Sequence, residues 1–173
     1  KLRDIISHLQ TVYCQSIGIE YVYIRELEEF NWIKKFIHTN NNQPNFDKQQ
    51  KIEIFKQLNT CVGFEKFLHK KYVGQKRFSV EGAESIIPSL EYAINKGAQL
   101  GVNEFIFGMA HRGRLSVLAN IFNKPFARLF NEFEGVVYED DEFDGDVKYH
   151  LGYNCKKQLP NGETVEISLA PNP

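Results

Sequence analysis

Residues 104–115 read Glu-Phe-Ile-Phe-Gly-Met-Ala-His-Arg-Gly-Arg-Leu and join an apolar run to a cluster of cationic side chains. The apolar run is typical of a short β-strand, and the helical spacing that resumes at Leu115 predicts an α-helix. Residues 164–169, Thr-Val-Glu-Ile-Ser-Leu, alternate as a second strand does. A strand, a helix and a further strand in this order predict an α/β layer on a mostly parallel sheet.

Upstream of this stretch, apolar residues follow a helical period. Residues 2–13, 24–37, 52–58 and 62–68 each carry such a stripe, and Asp47 with Gln50 makes a capping-box pattern. Another helix is predicted before residue 101, with Ser79 able to cap it and Pro88 near its true start. We therefore divide the chain into a helical lead-in region, residues 1–74, and a partial α/β domain, residues 75–173.

The composition is that of a globular protein. The 173 residues are 42% hydrophobic and 25% charged, and a net charge of −1 provides no field that would attract nucleic acid or an anionic membrane. No apolar stretch approaches the ~20 residues needed to cross a bilayer. Cys14, Cys61 and Cys155 lack zinc-site spacing, which favours reduced thiols in a cytoplasm-like compartment. Because Met109 is the only methionine, we expect a piece of a longer protein with an incomplete active site.

The first candidate site follows the predicted strand at residues 104–108. Ligands of open α/β sheets bind at the carboxyl ends of strands, where His111 and Arg112 would lie. The Arg112 guanidinium suits a carboxylate or phosphate, and His111 can donate a proton or a hydrogen bond near neutral pH. The alternatives are a structural ion pair for Arg112 and an ordinary core position for His111. For Arg114, one step further along, we favour a structural role.

A second candidate lies in residues 145–153, Gly-Asp-Val-Lys-Tyr-His-Leu-Gly-Tyr. Glycines let backbone approach a ligand closely, and His150 between them could contact a carboxylate. The alternative is a surface loop with an incidental histidine, and Lys148 and Tyr149 are weaker candidates. The acidic run at residues 139–146 lacks the spacing of a calcium loop, so we interpret it as a solvated loop and assign no metal ligand.

Five blocks resemble, in order and spacing, the thiamine-diphosphate-dependent decarboxylating component of 2-oxoglutarate dehydrogenase. They are Thr-Val-Tyr-Cys-Gln-Ser-Ile-Gly-Ile-Glu-Tyr at 11–21, Phe-Leu-His-Lys-Lys-Tyr-Val-Gly-Gln-Lys-Arg-Phe-Ser-Val-Glu-Gly at 67–82, Gly-Met-Ala-His-Arg-Gly-Arg-Leu at 108–115, Gly-Asp-Val-Lys-Tyr-His-Leu-Gly at 145–152, and Leu-Ala-Pro-Asn-Pro at 169–173. The resemblance covers essentially the whole chain.

The resemblance implies a helical lead-in followed by the first part of a thiamine-diphosphate-binding domain. It implies that His111 and His150 recognise a 2-oxo acid, that Arg112 lies against the cofactor, and that the magnesium ligands lie outside this chain. The implied activity is oxidative decarboxylation of 2-oxoglutarate in the tricarboxylic acid cycle, with transfer of the succinyl group to the lipoyl group of a succinyltransferase. The family is homodimeric, and the location would be the cytoplasm, or the mitochondrial matrix in a eukaryote.

Two other interpretations stay open at this point. A 2-oxoadipate dehydrogenase differs in its substrate by one methylene, which is worth only about 1–3 kcal/mol of discrimination. The first ~70 residues could instead act as a non-catalytic helical assembly or interaction segment, because exposed apolar stripes mark partner surfaces.

Overall fold

The structure is a computed structural model that describes residues 1–134 and 150–172. The helices in these residues are α1 (Leu2–Tyr13), α2 (Leu27–Thr39), α3 (Lys48–Lys71), α4 (Ile86–Gln99), α5 (Arg114–Asn120) and α6 (Phe126–Phe133). The strands are β1 (Glu104–Phe107), β2 (Tyr153–Gln158) and β3 (Thr164–Leu169). The predicted α/β class is confirmed.

Residues 1–50 form one compact unit. Its small core consists of Val12, Tyr21 and Ile37. Asn42 fastens the turn after α2 by donating its side-chain amide to the carbonyls of Val12 and Ile17, at 3.0 and 2.8 Å. The predicted stripe on α1 is present, but most of its apolar residues are exposed, among them Leu2, Ile5, Ile6 and Leu9.

A chain of hydrogen bonds joins α1 to α2 in this unit. The Tyr13 hydroxyl lies 2.8 Å from both the Tyr21 hydroxyl and Nε2 of His38. His38 continues the chain through Nδ1, which lies 2.9 Å from Nε2 of His8. Partial burial, and then the hydrogen bond with Tyr21, raise the pKa of Tyr13 to about 12.

Residues 51–173 form a second compact unit, and α5 lies at its centre. All residues from Arg114 to Ala119 are buried, as is typical of a helix surrounded by other elements. The core also takes Cys61, Phe64 and Leu68 from α3, together with Ile87 and Ile94 from α4. The boundary at residue 74 stays a prediction.

The sheet has the order β1-β3-β2. β1 and β3 run parallel, with Phe105 opposite Ile167, so the predicted strand–helix–strand unit is present. β2 and β3 run antiparallel, with Cys155 opposite Ile167. β3 is therefore the central strand of the three, and its inward residues Val165, Ile167 and Leu169 are buried.

The expectation of a mostly parallel sheet is corrected, because the described sheet is mixed. The strand β2 was not predicted, and it forms a hairpin with β3 through a turn at Pro160-Asn161-Gly162. Gly162 has φ +87°, and its N–H donates to the Leu159 carbonyl at 2.9 Å. The β2 sequence, Tyr-Asn-Cys-Lys-Lys-Gln, appears polar, yet Lys157 is buried with Nζ bonded to the Ile121 carbonyl at 2.9 Å.

Two helix predictions also need correction. The two stripes at 52–58 and 62–68 belong to the single helix α3, because Cys61, Phe64 and Leu68 continue one buried face past Gly63. Its capping box is confirmed, since Asp47 and Gln50 exchange side-chain and backbone hydrogen bonds. Ser79 does not cap α4, which begins at Ile86. The Ser79 hydroxyl accepts from the Glu81 N–H instead, while Pro88 lies in the first turn as expected.

No helix among the described residues has both the length and the apolar character needed to cross a membrane. None of the three cysteines is in a disulfide.

Candidate functional site

The predicted site follows β1, where the chain turns sharply into α5. Gly113 precedes α5 with φ +77°, a conformation that glycine adopts without steric cost. A Cβ at this position would lie 2.8 Å from Cγ2 of Val80, so the close packing also excludes a side chain. The Gly113 N–H donates to the Phe78 carbonyl at 2.8 Å. Residues 78–80 therefore hold the turn that carries His111 and Arg112.

The structure brings the two predicted histidines together. Nε2 of His111 lies 2.5 Å from Nε2 of His150, although the residues are 39 positions apart. Their ring centroids are 4.7 Å apart, with the planes tilted by 34°. At this contact one Nε2 carries the hydrogen and donates, while the other Nε2 accepts. Two groups that can bind a carboxylate thus face each other.

Phe78 packs against His111 from the segment before α4. The two ring centroids are 4.7 Å apart and the planes are 21° from parallel, a stacked arrangement. Lys76 places its ammonium 4.6 Å from the Phe78 ring centroid. No role was predicted for Phe78, although the residue belongs to the block 67–82 that carries the resemblance.

Arg114 joins three segments of the site from a fully buried position. Its Nη1 donates to the Met109 carbonyl at 3.2 Å, and its Nη2 donates to the carbonyls of Leu151 and Ala170 at 3.0 and 2.6 Å. Burial lowers the pKa of the Arg114 guanidinium below its ordinary value. These contacts confirm the structural role expected for Arg114. They hold the residue after His150 next to the turn that carries His111.

Asn172 also holds the backbone around His150 in place. The Asn172 N–H donates to the His150 carbonyl at 2.8 Å. A Cβ on Gly152 would lie 2.9 Å from the Leu169 carbonyl oxygen, so only glycine permits this approach. Within residues 1–134 and 150–172, the buried Nδ2 of Asn172 has no hydrogen-bond partner.

Arg112 is exposed beside the segment 81–84. Its Nη2 donates to the Glu81 carbonyl at 2.8 Å. The pKa of Glu84 lies below its ordinary value because backbone N–H groups of Glu84 and Gly82 stabilise the carboxylate, with a smaller contribution from the Arg112 charge. The exposed guanidinium keeps further N–H donors that face solvent, and these suit an anionic group.

The remaining candidates are the acidic run and two residues that precede His150. The acidic run 139–146, Lys148 and Tyr149 lie outside the described residues. In the parts of the chain that the structure describes, no group of three or more His, Cys, Asp or Glu side chains could hold a metal ion.

A cleft of about 510 Å³ lies elsewhere in the second unit, lined by α3, α4 and the β2–β3 hairpin. Its walls include Lys56, Gln57, Glu91 and Lys157 and none of the predicted site residues. Nζ of Lys157 lies 3.0 Å from the Glu91 carboxylate, so the buried cation in this cleft is already neutralised. The paired histidines, and not the size of a cleft, therefore identify the candidate site.

Comparison with known proteins supports the resemblance that the five sequence blocks indicate. No family model matches the chain. The chain is 45% identical, over its full length, to the "Multifunctional 2-oxoglutarate metabolism enzyme" of Mycolicibacterium vanbaalenii. It is 43% identical over 99% of its length to the "2-oxoglutarate dehydrogenase E1 component" of Cupriavidus necator, and 40% identical over 99% to the mitochondrial 2-oxoglutarate dehydrogenase of Schizosaccharomyces pombe.

The chain spans 14 to 18% of the length of these relatives. The similarity extends through both compact units and includes every predicted site residue. The resemblance carried by the five sequence blocks is thereby confirmed: over its whole length, this chain is homologous to one segment of the 2-oxoglutarate dehydrogenases.

Proposed function

We propose that this chain contributes part of the active site of a thiamine-diphosphate-dependent 2-oxoglutarate dehydrogenase. The reaction is oxidative decarboxylation of 2-oxoglutarate, with transfer of the succinyl group to the lipoyl group of a succinyltransferase component. The observation that carries this proposal is the approach of His111 and His150 to 2.5 Å at the end of β1, in a chain similar throughout to enzymes of that name.

His111 and His150 bind the 2-oxo acid in this proposal. Each imidazole offers an N–H that can donate to a carboxylate or carbonyl oxygen, and the bond to a charged carboxylate is stronger than one between neutral groups. The hydrogen bond between the two rings would be exchanged for bonds to the substrate. The stack with Phe78 fixes the plane of the His111 ring, so the donor keeps one direction during this exchange.

Arg112 and Asn172 are the residues that fit the cofactor. The exposed guanidinium of Arg112 suits a diphosphate, and the buried Nδ2 of Asn172 is a donor without a partner among the described residues. When bound, thiamine diphosphate supplies the electron sink for the loss of carbon dioxide. We place the magnesium ligands outside this chain, as the resemblance implies.

The remaining assignments follow from the family. The full-length protein would be a homodimer in a multienzyme complex with the lipoyl-bearing succinyltransferase. It would lie in the cytoplasm, or in the mitochondrial matrix in a eukaryote; the name of the fission yeast relative gives that protein as mitochondrial. The relatives' names do not favour a non-catalytic assembly segment or a 2-oxoadipate enzyme.

A substrate comparison on the full-length protein tests the proposal. We expect decarboxylation of 2-oxoglutarate that requires added thiamine diphosphate and magnesium, and a lower kcat/KM for 2-oxoadipate. The acceptor should be an artificial oxidant, so that the result does not depend on the lipoyl partner. Equal or faster turnover of 2-oxoadipate would reject the substrate assignment, and absence of any 2-oxo acid turnover would reject the enzyme class.

A further inference from the structure

Glu65 is a carboxylate in the core of the second unit. It lies on α3 with only 2% of its surface exposed, on the same buried face as Cys61 and Leu68. An ionised carboxylate in such a place is costly unless donors surround it. The proposed chemistry does not use Glu65, so its burial calls for a separate explanation.

Donors from two other segments surround this carboxylate. The Ser116 hydroxyl on α5 donates to Oε1 at 2.7 Å, and the Val80 N–H donates to the same oxygen at 3.2 Å. On the other side, Nε of Arg77 donates to Oε2 at 3.5 Å. Glu65 therefore ties α3 to α5 and to both ends of the short segment 77–80.

Phe78 lies between Arg77, whose side chain bonds to Glu65, and Val80, whose backbone N–H does. Its φ is +48°, in the left-handed region that bulky residues avoid. A residue keeps such a conformation only where its surroundings over-determine it. Glu65 restrains the chain on either side of Phe78, and the Gly113 N–H restrains the Phe78 carbonyl at 2.8 Å.

The restrained segment touches the site at two places. The Phe78 ring stacks on the His111 ring, and the Val80 side chain packs so closely on Gly113 that a Cβ there would lie 2.8 Å away. A shift of residues 78–80 would therefore move or tilt His111. Since His111 meets His150 through one ring nitrogen, a small tilt changes the direction in which that nitrogen points.

We infer that Glu65 is a positioning residue, which orients His111 for the 2-oxo acid by clamping residues 77–80. It touches no reacting group itself. This inference rests on the proposed function, because it assigns His111 to the substrate.

The test is kinetic and uses the full-length enzyme. Glu65→Ala removes all three bonds, and we expect a 10- to 100-fold lower kcat/KM for 2-oxoglutarate, roughly the penalty of a slightly misplaced contact group. Glu65→Gln keeps an oxygen that can accept from Ser116 and Val80 but loses the ion pair with Arg77, so its loss of kcat/KM should be clearly smaller than that of Glu65→Ala. Glu65→Asp retains the charge but is one methylene short, and it serves where the alanine variant does not fold.

Cys61→Ala is the matched control. Cys61 is buried one turn away on the same face of α3, so its loss also disturbs the core. We expect kcat/KM to stay near the wild-type value. A loss equal to that of Glu65→Ala would show that any damage to this core has the same effect, and would overturn the inference.

A double-mutant cycle with His111→Ala separates positioning from general destabilisation. If Glu65 acts through His111, adding Glu65→Ala to His111→Ala lowers kcat/KM little further. Losses that multiply would overturn the inference and leave the proposed function standing. An unchanged kcat/KM in His111→Ala alone would reject the substrate role of His111, and the inference with it.

Discussion

His111 and His150 have the same chemistry and different supports. His111 follows a strand and stacks on Phe78. His150 is held through its backbone instead: the Asn172 N–H donates to the His150 carbonyl, and Arg114 donates to the carbonyl of the next residue, Leu151. Arg112 stands outside this pair, with one described bond to a backbone carbonyl. The three candidate residues therefore predict different losses when each is removed.

His150→Ala should raise the KM for 2-oxoglutarate about tenfold in the full-length enzyme and change kcat less. A hydrogen bond to a charged group is worth about 1.5–3 kcal/mol, and its loss from the bound ground state appears in KM. Steady-state kinetics with saturating cofactor measure the effect.

Lys156→Ala is the control for this experiment, because Lys156 is exposed on β2 and pairs with Glu166 at the surface. It should leave KM unchanged. A His150→Ala enzyme with the wild-type KM would contradict the substrate contact.

At the level of elements, the turn between β1 and α5 depends on Gly113 for two reasons. Its φ of +77° disfavours any side chain, and Val80 fills the space where a Cβ would lie. The hairpin glycine Gly162 has the similar φ of +87° but nothing within 4 Å of its position for a Cβ. The two glycines therefore separate backbone strain from packing.

Gly113→Ala should lower the free energy of unfolding by more than Gly162→Ala. The backbone part is about 1–2 kcal/mol at either position, and the clash with Val80 adds to it only at Gly113. Denaturant unfolding of the full-length variants measures the difference. Adding Val80→Ala to both variants should reduce the difference between their free energies of unfolding. Equal losses of stability in Gly113→Ala and Gly162→Ala would show that the packing argument is wrong.

The hydrogen-bond chain between α1 and α2 predicts a pH dependence. Tyr13 is neutral when protonated, and its folded-state pKa of about 12 lies above the ordinary 10.0, so the folded state holds the proton more tightly. Its contribution to stability is therefore complete below pH ~10 and is lost as the pH rises towards 12. The effect is small because the residue is partly exposed and screened by solvent.

Phenolate absorbance as a function of pH tests this prediction. Subtracting the titration of Tyr13→Phe from that of the wild type should leave one phenol that ionises near pH 12 in the folded protein and near 10 in denaturant. Tyr92→Phe, which removes an exposed tyrosine, is the control. A Tyr13 that ionises near 10 in the folded protein would contradict the prediction.

For the molecule as a whole, the site is assembled from residues far apart in the second unit, and the chain is a small share of its relatives. We predict that the full-length protein binds thiamine diphosphate with magnesium tightly and that residues 1–173 alone bind it weakly, because the magnesium ligands implied by the family lie elsewhere. Calorimetric titration compares the two. Tight binding by residues 1–173 would contradict this view.

In the same titration, Arg112→Ala in the full-length protein should weaken cofactor affinity about tenfold, because a charge-assisted contact with the diphosphate is lost. Arg25→Ala, which removes an exposed cation from the first unit, is the control. Unchanged affinity in Arg112→Ala would leave Arg112 with its structural contact to Glu81.

Much of the fold could be predicted from local patterns. The strands β1 and β3, the turn into α5 and the Asp47 capping box all depend on residues a few positions apart, whose periodicity and caps act within one element. β2 was missed because its buried residue is a lysine, whose burial depends on a carbonyl and a carboxylate supplied by other elements. The continuity of α3 as one helix was not predicted for a related reason, because contacts with the core stabilise the middle of the helix.

The candidate site divides in the same way. Residue types and the family blocks pointed to His111, Arg112 and His150 as candidates, because a cationic turn after a strand and a histidine between glycines are both local features. The meeting of the two imidazoles, the three carbonyl contacts of Arg114 and the bonds of Glu65 to Ser116 and Val80 came from packing alone. Those contacts join positions up to 56 residues apart. The spacing of residues along the chain does not indicate which carbonyl or ring will lie next to a given side chain in the folded core.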